Sequence, residues 1–301
     1  MIENKKYDNN EIDLFDLYLT LWDKKILIGA ITSVMAIISV IYSLNLSNFY
    51  ISESQLVPSA QDKSLSSSFG GLASLGSIAG VSMPAGNVSK SQEAIERIKS
   101  FEFFSKHLLP EIKLANIIAV KKWLPDENIL IYKDTLYNDR DKKWLKSKPS
   151  DQEAYKIYKK IMVVNEDIKT SFVTVSIEHK SPIIAQRWVD LIISQINESM
   201  RISDSNDAKE YINFLSATSQ SANIKSLKEV LANLLEDQMQ ILMLASSNDN
   251  YVFKIIDSAI VPEQKAGPSR AIICILGTLL GLMLSLTIVF IQKLRNSSTY
   301  Y

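Results

Sequence analysis

"VPEQKAGPSRAIICILGTLLGLMLSLTIVF" occupies residues 261–290. Pro262, Gly267 and Pro268 precede Arg270, and a run of 21 uncharged, mostly apolar residues follows from Ala271 to Ile291. Each proline lacks a backbone N–H and has a fixed φ, so no helix continues through this stretch. At about 1.5 Å per residue the apolar run is about 32 Å long, which matches the ~30 Å hydrocarbon core of a bilayer. The stretch is therefore a joint, made of Pro262, Gly267, Pro268 and Arg270, between a folded region and a spanning helix.

A second run, Ile26 to Leu44, also carries no charge. A cleaved signal peptide would have a shorter apolar region behind a basic leader. Here the leader holds six Asp/Glu against Lys5, Lys6, Lys24 and Lys25, and no small-residue cleavage site follows Leu44, so the segment is read as a retained span. Lys24 and Lys25 abut the first span and Lys293 and Arg295 the second, which by the positive-inside rule puts both termini in the cytoplasm. The predicted organisation is a cytoplasmic segment over 1–25, a span over 26–44, a periplasmic region over 45–270, a span over 271–291 and a tail over 292–301. The region 45–270 holds 27 acidic and 27 basic residues and no cysteine, the one cysteine being Cys274 in the second span. Absent thiols suit an oxidising compartment.

Within that region, "SFVTVSIEH" (171–179) alternates Val173, Val175 and Ile177 against Thr174 and Ser176, the period of a half-buried strand. "FYISESQLVPS" (49–59) and "NYVFKIIDSAIVP" (250–262) have the same character. Residues 49–57, 171–178 and 251–260 are predicted to form one small base sheet. Ser181 and Pro182 then cap and open a helix with apolar positions Ala185, Trp188, Val189, Ile192 and Ile196. From Ile183 to Val261 there is neither Gly nor Pro, which argues for very long helices. A single rod from Ile183 to Ser246 would be about 95 Å long, yet the chain must return to the membrane, so a helical hairpin over 183–246 is predicted. Its apex is "SATSQSAN" (216–223), with Ser221 or Asn223 capping the descending helix. Such a pair has little core of its own and needs neighbours.

Elsewhere "EIDLFDLYLTLWDKK" (11–25) places Ile12, Phe15, Leu19 and Trp22 near one face, an interfacial helix leading into the first span. Ser64 to Asn87 is rich in Ser, Gly and Ala. Gly71 and Gly76 have phosphate-loop spacing, but Ser77 and Ile78 stand where Lys and Ser/Thr should follow, so a loop is the better reading. Ser89 or Ser91 caps a helix through Ala94, Ile95, Ile98, Phe101 and Phe104 to Leu109. Glu111 to Ser150 carries Trp123, Tyr132, Tyr137 and Trp144, more often core than a sugar platform. Glu153 to Val163 is read as a helix. In the second span Cys274, Gly277, Gly281 and Ser285 are spaced 3, 4 and 4 apart, a small-residue face suited to close helix packing. Its partner is the first span, where Gly29, Ser33 and Ala36 are similarly spaced, or a neighbouring protomer.

The residues then add up to a resemblance. "EIDLFDLYLTLW" (11–22), "FVTVSIEHKSPIIAQRWVDLII" (172–193), "LEDQMQILMLASSNDNYVFKIIDSAIVPEQKAGPSR" (235–270) and the terminal span with its paired glycines resemble the Wzz-type chain-length determinants, the bacterial polysaccharide co-polymerases. Lys265 and Ala266 replace part of the family's proline pattern at the joint. The resemblance implies an α+β membrane protein in which two transmembrane helices flank a periplasmic α/β base bearing a long helical hairpin protrusion. It also implies a ring-shaped homo-oligomer in the inner membrane that sets the modal length of lipopolysaccharide O-antigen in the Wzy-dependent route. The implied partners are the Wzy-type polymerase and the lipid-linked glycan, and the action is not catalytic.

Two other readings compete. A co-polymerase for capsule, exopolysaccharide or common antigen would act with a cytoplasmic tyrosine kinase on a separate chain, since the ten residues after Ile291 are too few for one. An envelope glycan hydrolase would need paired carboxylates or a nucleophile with its base. The acids are scattered over charged faces, and His107 and His179 are the only histidines. No catalytic residue, cofactor or metal is expected, and the equal numbers of acids and bases disfavour a nucleic-acid partner.

Overall fold

A computed structural model describes residues 21–59, 89–221, 224–247 and 249–298. The interfacial helix expected through Ile12, Phe15 and Leu19 and the Ser64 to Asn87 loop lie outside them. The chain divides into two compact units, Met1–Asn48 with Ala266–Tyr301, and Phe49–Lys265. In chain order the elements are α1 (Lys25–Asn45), β1 (Tyr50–Pro58), α2 (Lys90–Lys99), α3 (Phe101–Phe103), a π-helical turn (Phe104–Leu108) and α4 (Leu114–Ile118). β2 (Val120–Leu124), β3 (Ile129–Tyr132), β4 (Tyr137–Asn138), β5 (Lys143–Trp144), α5 (Asp151–Ile161), β6 (Met162–Glu166) and β7 (Val173–His179) follow. The chain continues through α6 (Pro182–Ser221), α7 (Lys225–Ser247), β8 (Phe253–Asp257) and α8 (Arg270–Ser298).

The Phe49–Lys265 unit is built on a four-stranded sheet in the order β6-β7-β1-β8, with antiparallel pairing throughout. Val173, Val175, Ile177 and His179 alternate inward along β7, as the sequence period requires. The sheet has one strand more than the three read from sequence. Met162–Glu166 continues straight out of α5, whose helical pattern ends at Ile161, so the residues assigned to one helix belong to two elements. On β1 the buried positions are Ser52, Ser54 and Leu56. The two serines donate to the carbonyls of Ile260 (2.7 Å) and Asp257 (2.6 Å), so β1 holds the chain leaving β8 through hydroxyls that an apolar alternation would not reveal.

Above the sheet the core gathers Ile98, Phe104 and Leu108 with Val189, Ile192, Ile196 and Met200 of α6. The helix expected from Ser89 to Leu109 is interrupted. Ser89 accepts from the Gln92 N–H, but Ser100 is extended (ψ 152) and its hydroxyl caps a second start by accepting from the Phe103 N–H at 3.1 Å. The break lets Phe104 enter the core while Phe101 stays exposed against Tyr155. Ser150 and Glu153 form a reciprocal capping box at the start of α5.

The helical hairpin is present as α6, 40 residues, and α7, 23 residues, roughly 60 and 35 Å long. Pro182 is the first residue of α6, and the Ala185 N–H bonds back to the Ser181 carbonyl. Beyond Met200 burial thins. Leu215 and Leu231 form a small second cluster with Leu234 and Leu235, while Ile202, Tyr211, Phe214, Val230, Met239 and Met243 are exposed.

Candidate functional site

The Met1–Asn48 and Ala266–Tyr301 segments pair α1 with α8, both long and apolar enough to cross a membrane. Their contact is set by the second span's small residues. A Cβ built on Gly277 would overlap the Cβ of Ser39 and lie 2.8 Å from its Oγ, and one built on Gly281 would lie 2.6 Å from Met35 Cβ and 3.4 Å from Thr32 Cα. Only glycine allows this approach without displacing backbone. Thr32, Met35, Ser39 and Ser43 are spaced 3, 4 and 4 apart, the same as Cys274, Gly277, Gly281 and Ser285. Two antiparallel helices with matched spacings keep their small positions facing along several turns.

The face of the first span that meets the glycines is only in part the one expected. Nothing lies within 4 Å of a Cβ at Gly29, and Ser33 is exposed. The reason is angular, since 29 and 33 lie off the stripe that 32, 35, 39 and 43 form on a 3.6-residue helix, whereas Ala36, four residues from Thr32 and three from Ser39, borders that stripe and is half-buried. The sequence signal for the face is the hydroxyl stripe of Thr32, Ser39 and Ser43, which contains no glycine. Thr32 and Ser39 donate to their own helix at Ile28 O and Ala36 O, both 2.8 Å, and Ser285, fully buried, donates to Leu282 O at 2.7 Å. Hydroxyls satisfied this way cost little in an apolar medium. Cys274 is half-buried.

At the joint, Pro262 is half-buried within the Phe49–Lys265 unit, and Gly267 is buried ahead of a cis peptide to Pro268. Arg270 opens α8 and donates from Nη2 to Asn48 Oδ1 at 3.1 Å, tying the first residue of the second span to the end of the segment that carries the first.

The Phe49–Lys265 unit holds polar positions that sequence reasoning missed. Asn197, buried on α6, accepts from the Val252 (2.8 Å) and Phe253 (2.9 Å) N–H groups and donates to Phe253 O (3.0 Å), standing in for a neighbouring strand along the edge of β8. An asparagine inside the Ile192, Ile193, Ile196, Met200 stripe was the available signal. The Asp204 carboxylate takes an ion pair from Lys90 and a hydrogen bond from the Tyr251 hydroxyl (2.6 Å), joining α2, α6 and the approach to β8. Burial first, and then Asp204, pushes the Tyr251 pKa well above the usual phenol range. His179 is buried against Trp188 and accepts at Nδ1 from the Ser181 N–H (2.9 Å), which leaves Nε2 to donate to Asn116 O (3.0 Å). Burial holds its pKa below the ordinary histidine value. Among the described residues no group of three or more His, Cys, Asp or Glu could hold a metal.

Two helices of spanning length, paired through small residues and flanking in sequence an α/β unit with a long helical hairpin, define a two-span membrane protein. A family model described as "Chain length determinant protein" (Wzz) matches residues 10–108, and one described as "G-rich domain on putative tyrosine kinase" matches 216–294. Residues 10–108 thus carry a Wzz chain-length determinant domain, which bears out the resemblance to the polysaccharide co-polymerases. No curated protein matches it. Among solved structures it is similar to a full-length bacterial polysaccharide co-polymerase, at 16% identity and TM-score 0.41 over 94% of this chain and 99% of that one. It is also similar to a fragment of WzzB, a polysaccharide co-polymerase from Salmonella Typhimurium, at 14% identity and TM-score 0.33 over 73% and 100%. At these scores the likeness carries no weight beside the family matches.

Proposed function

We propose that the protein sets the modal length of lipopolysaccharide O-antigen in the Wzy-dependent pathway, acting without catalysis as a membrane oligomer beside the polymerase. The observation that carries this reading is the family match over 10–108 on a chain whose two apolar helices pair through Gly277 and Gly281. The charge asymmetry at Lys24, Lys25, Lys293 and Arg295 supports an inner-membrane protein with both termini in the cytoplasm and residues 45–270 in the periplasm. The hairpin supports self-association: its outer half keeps Tyr211, Phe214, Val230 and Met243 exposed, a surface that neighbouring copies would cover. A ring of copies would bias extension of the lipid-linked glycan against termination through its size. Pro262 and Pro268 would fix how the base meets the membrane.

A second reading draws on the match over 216–294 to a domain found on putative tyrosine kinases: co-polymerase for capsule, exopolysaccharide or common antigen, with a separate kinase. One experiment separates the two. The lipopolysaccharide ladder of a deletion strain should lose its clustered band distribution and regain it when the gene is restored. An unchanged ladder with altered capsule would support the second reading, and no change in any glycan would refute both.

A further inference from the structure

The four aromatic residues of the Glu111–Ser150 region are not core. Trp123, Tyr132, Tyr137 and Trp144 are all half-exposed, and none belongs to either buried cluster. Tyr132 and Tyr137 meet edge to face at 5.2 Å, and Tyr137 meets Trp144 at 5.1 Å, so the rings of two separate hairpins form one series. The Tyr132 hydroxyl donates to Asn116 Oδ1 at 2.7 Å, which fixes that ring. Beside the rings runs an open groove of about 830 Å³ with an apolar wall that includes Ile129 and Leu145. Asp134, Asn138, Asp139 and Arg140 also line it. Asn138 holds the turn that presents them, accepting from the N–H groups of Arg140 (3.0 Å) and Asp141 (3.4 Å) and donating to the Asp141 carboxylate (2.7 Å). Asp139 and Arg140 are exposed.

We propose that this groove is a saccharide site that takes a short stretch of pyranose chain. A pyranose has an apolar C–H face, which an aromatic ring covers, and hydroxyls that both donate and accept, which carboxylate, amide and guanidinium groups pair with. Both kinds of group are present within one groove whose volume falls in the ~300–1,000 Å³ range of small-ligand sites. A protein partner fits less well, because the buried centre of a protein interface is depleted of charge and here two aspartates and an arginine share the wall with the tyrosines. The proposal rests on the length-control reading, for which it names a point of contact between this chain and the glycan.

The test uses the full chain in detergent with short oligosaccharides released by mild acid from the producing strain's own surface polysaccharide. Saturation-transfer NMR should show transfer to sugar ring protons. Tyr137→Ala should weaken the dissociation constant about fivefold or more, the scale of one aromatic contact. The double variant Asp139→Asn with Arg140→Gln removes only exposed groups, so it should also weaken binding while the melting temperature stays at the wild-type value. Absence of transfer to the wild-type protein, or equal affinity in the double variant, overturns the site. So does a change of oligomer size in Ile129→Asp by light scattering with sugar binding intact, which would show that a second copy covers the groove. The ladder separates the two levels: clustering restored by a groove variant that binds sugar as the wild type does defeats the groove alone. A deletion that alters no glycan defeats the length-control reading instead.

Discussion

Ser39 stands where a side chain on Gly277 would have to be: a Cβ at Gly277 overlaps the Cβ of Ser39. The two spans therefore touch at backbone distance at this level, and Gly281 against Met35 repeats the contact one turn along. Replacing either glycine by leucine should separate the helices at a cost of about 1–3 kcal/mol, the usual scale of overpacking. The melting temperature of the detergent-solubilised protein should fall and the clustered polysaccharide distribution should broaden. Gly29→Leu, with open space around it, should change neither. Equal effects at 29 and 277 would show that the pairing seen here does not hold.

Asn197 satisfies three backbone groups at β8. Asn197→Leu keeps the size and strands those groups in the core, where each orphaned donor or acceptor costs about 1–3 kcal/mol. Chemical denaturation should show a loss of at least about 2 kcal/mol, with hydrogen exchange accelerating first at Val252 and Phe253. A loss confined to α6 with β8 still protected would contradict the role.

His179 predicts acid sensitivity. Its folded pKa is lowered, chiefly by burial, so the unfolded chain binds the proton more readily. Stability is then complete above the unfolded value of about 6.5 and declines as pH falls from there through the lower folded value. Protonation also removes the lone pair that accepts from the Ser181 N–H. The melting temperature should drop between pH 7 and pH 5 in the wild type and drop less in His179→Gln. Parallel curves would exclude His179 as the cause.

The Lys90, Asp204, Tyr251 cluster joins α2 to the hairpin and to β8. Asp204→Ala leaves a partly buried ammonium and a phenol without their shared acceptor, so it should cost more than Tyr251→Phe, which loses one hydrogen bond worth about 1 kcal/mol. Urea midpoints of the two variants should rank in that order, and the reverse order would mean that the carboxylate is not the hub.

Much of the architecture was legible along the chain. Periodicity, capping residues and the Gly- and Pro-free stretch 183–261 depend on near neighbours, and they located both apolar helices, the β7 strand and the helical hairpin. The fourth strand escaped because Met162–Glu166 follows α5 without a Gly or Pro between them, so nothing local marks the change from helix to strand. The break at Ser100 escaped for a related reason: its hydroxyl offers a cap, but whether the chain uses it depends on Phe104 finding room in a core made by distant residues.

Sequence by itself determined which segments are apolar, which are helical and where backbone donors are missing, since these are properties of residues and their neighbours. Tertiary structure alone decided that Gly277 meets Ser39 and not the Gly29 stripe, that Asn197 serves as a strand edge, and that Tyr132, Tyr137 and Trp144 form one series outside the core. Which faces touch follows from the relative rotation and register of two elements. That choice minimises voids and orphaned polar groups over the whole assembly of contacts, and no single segment contains it.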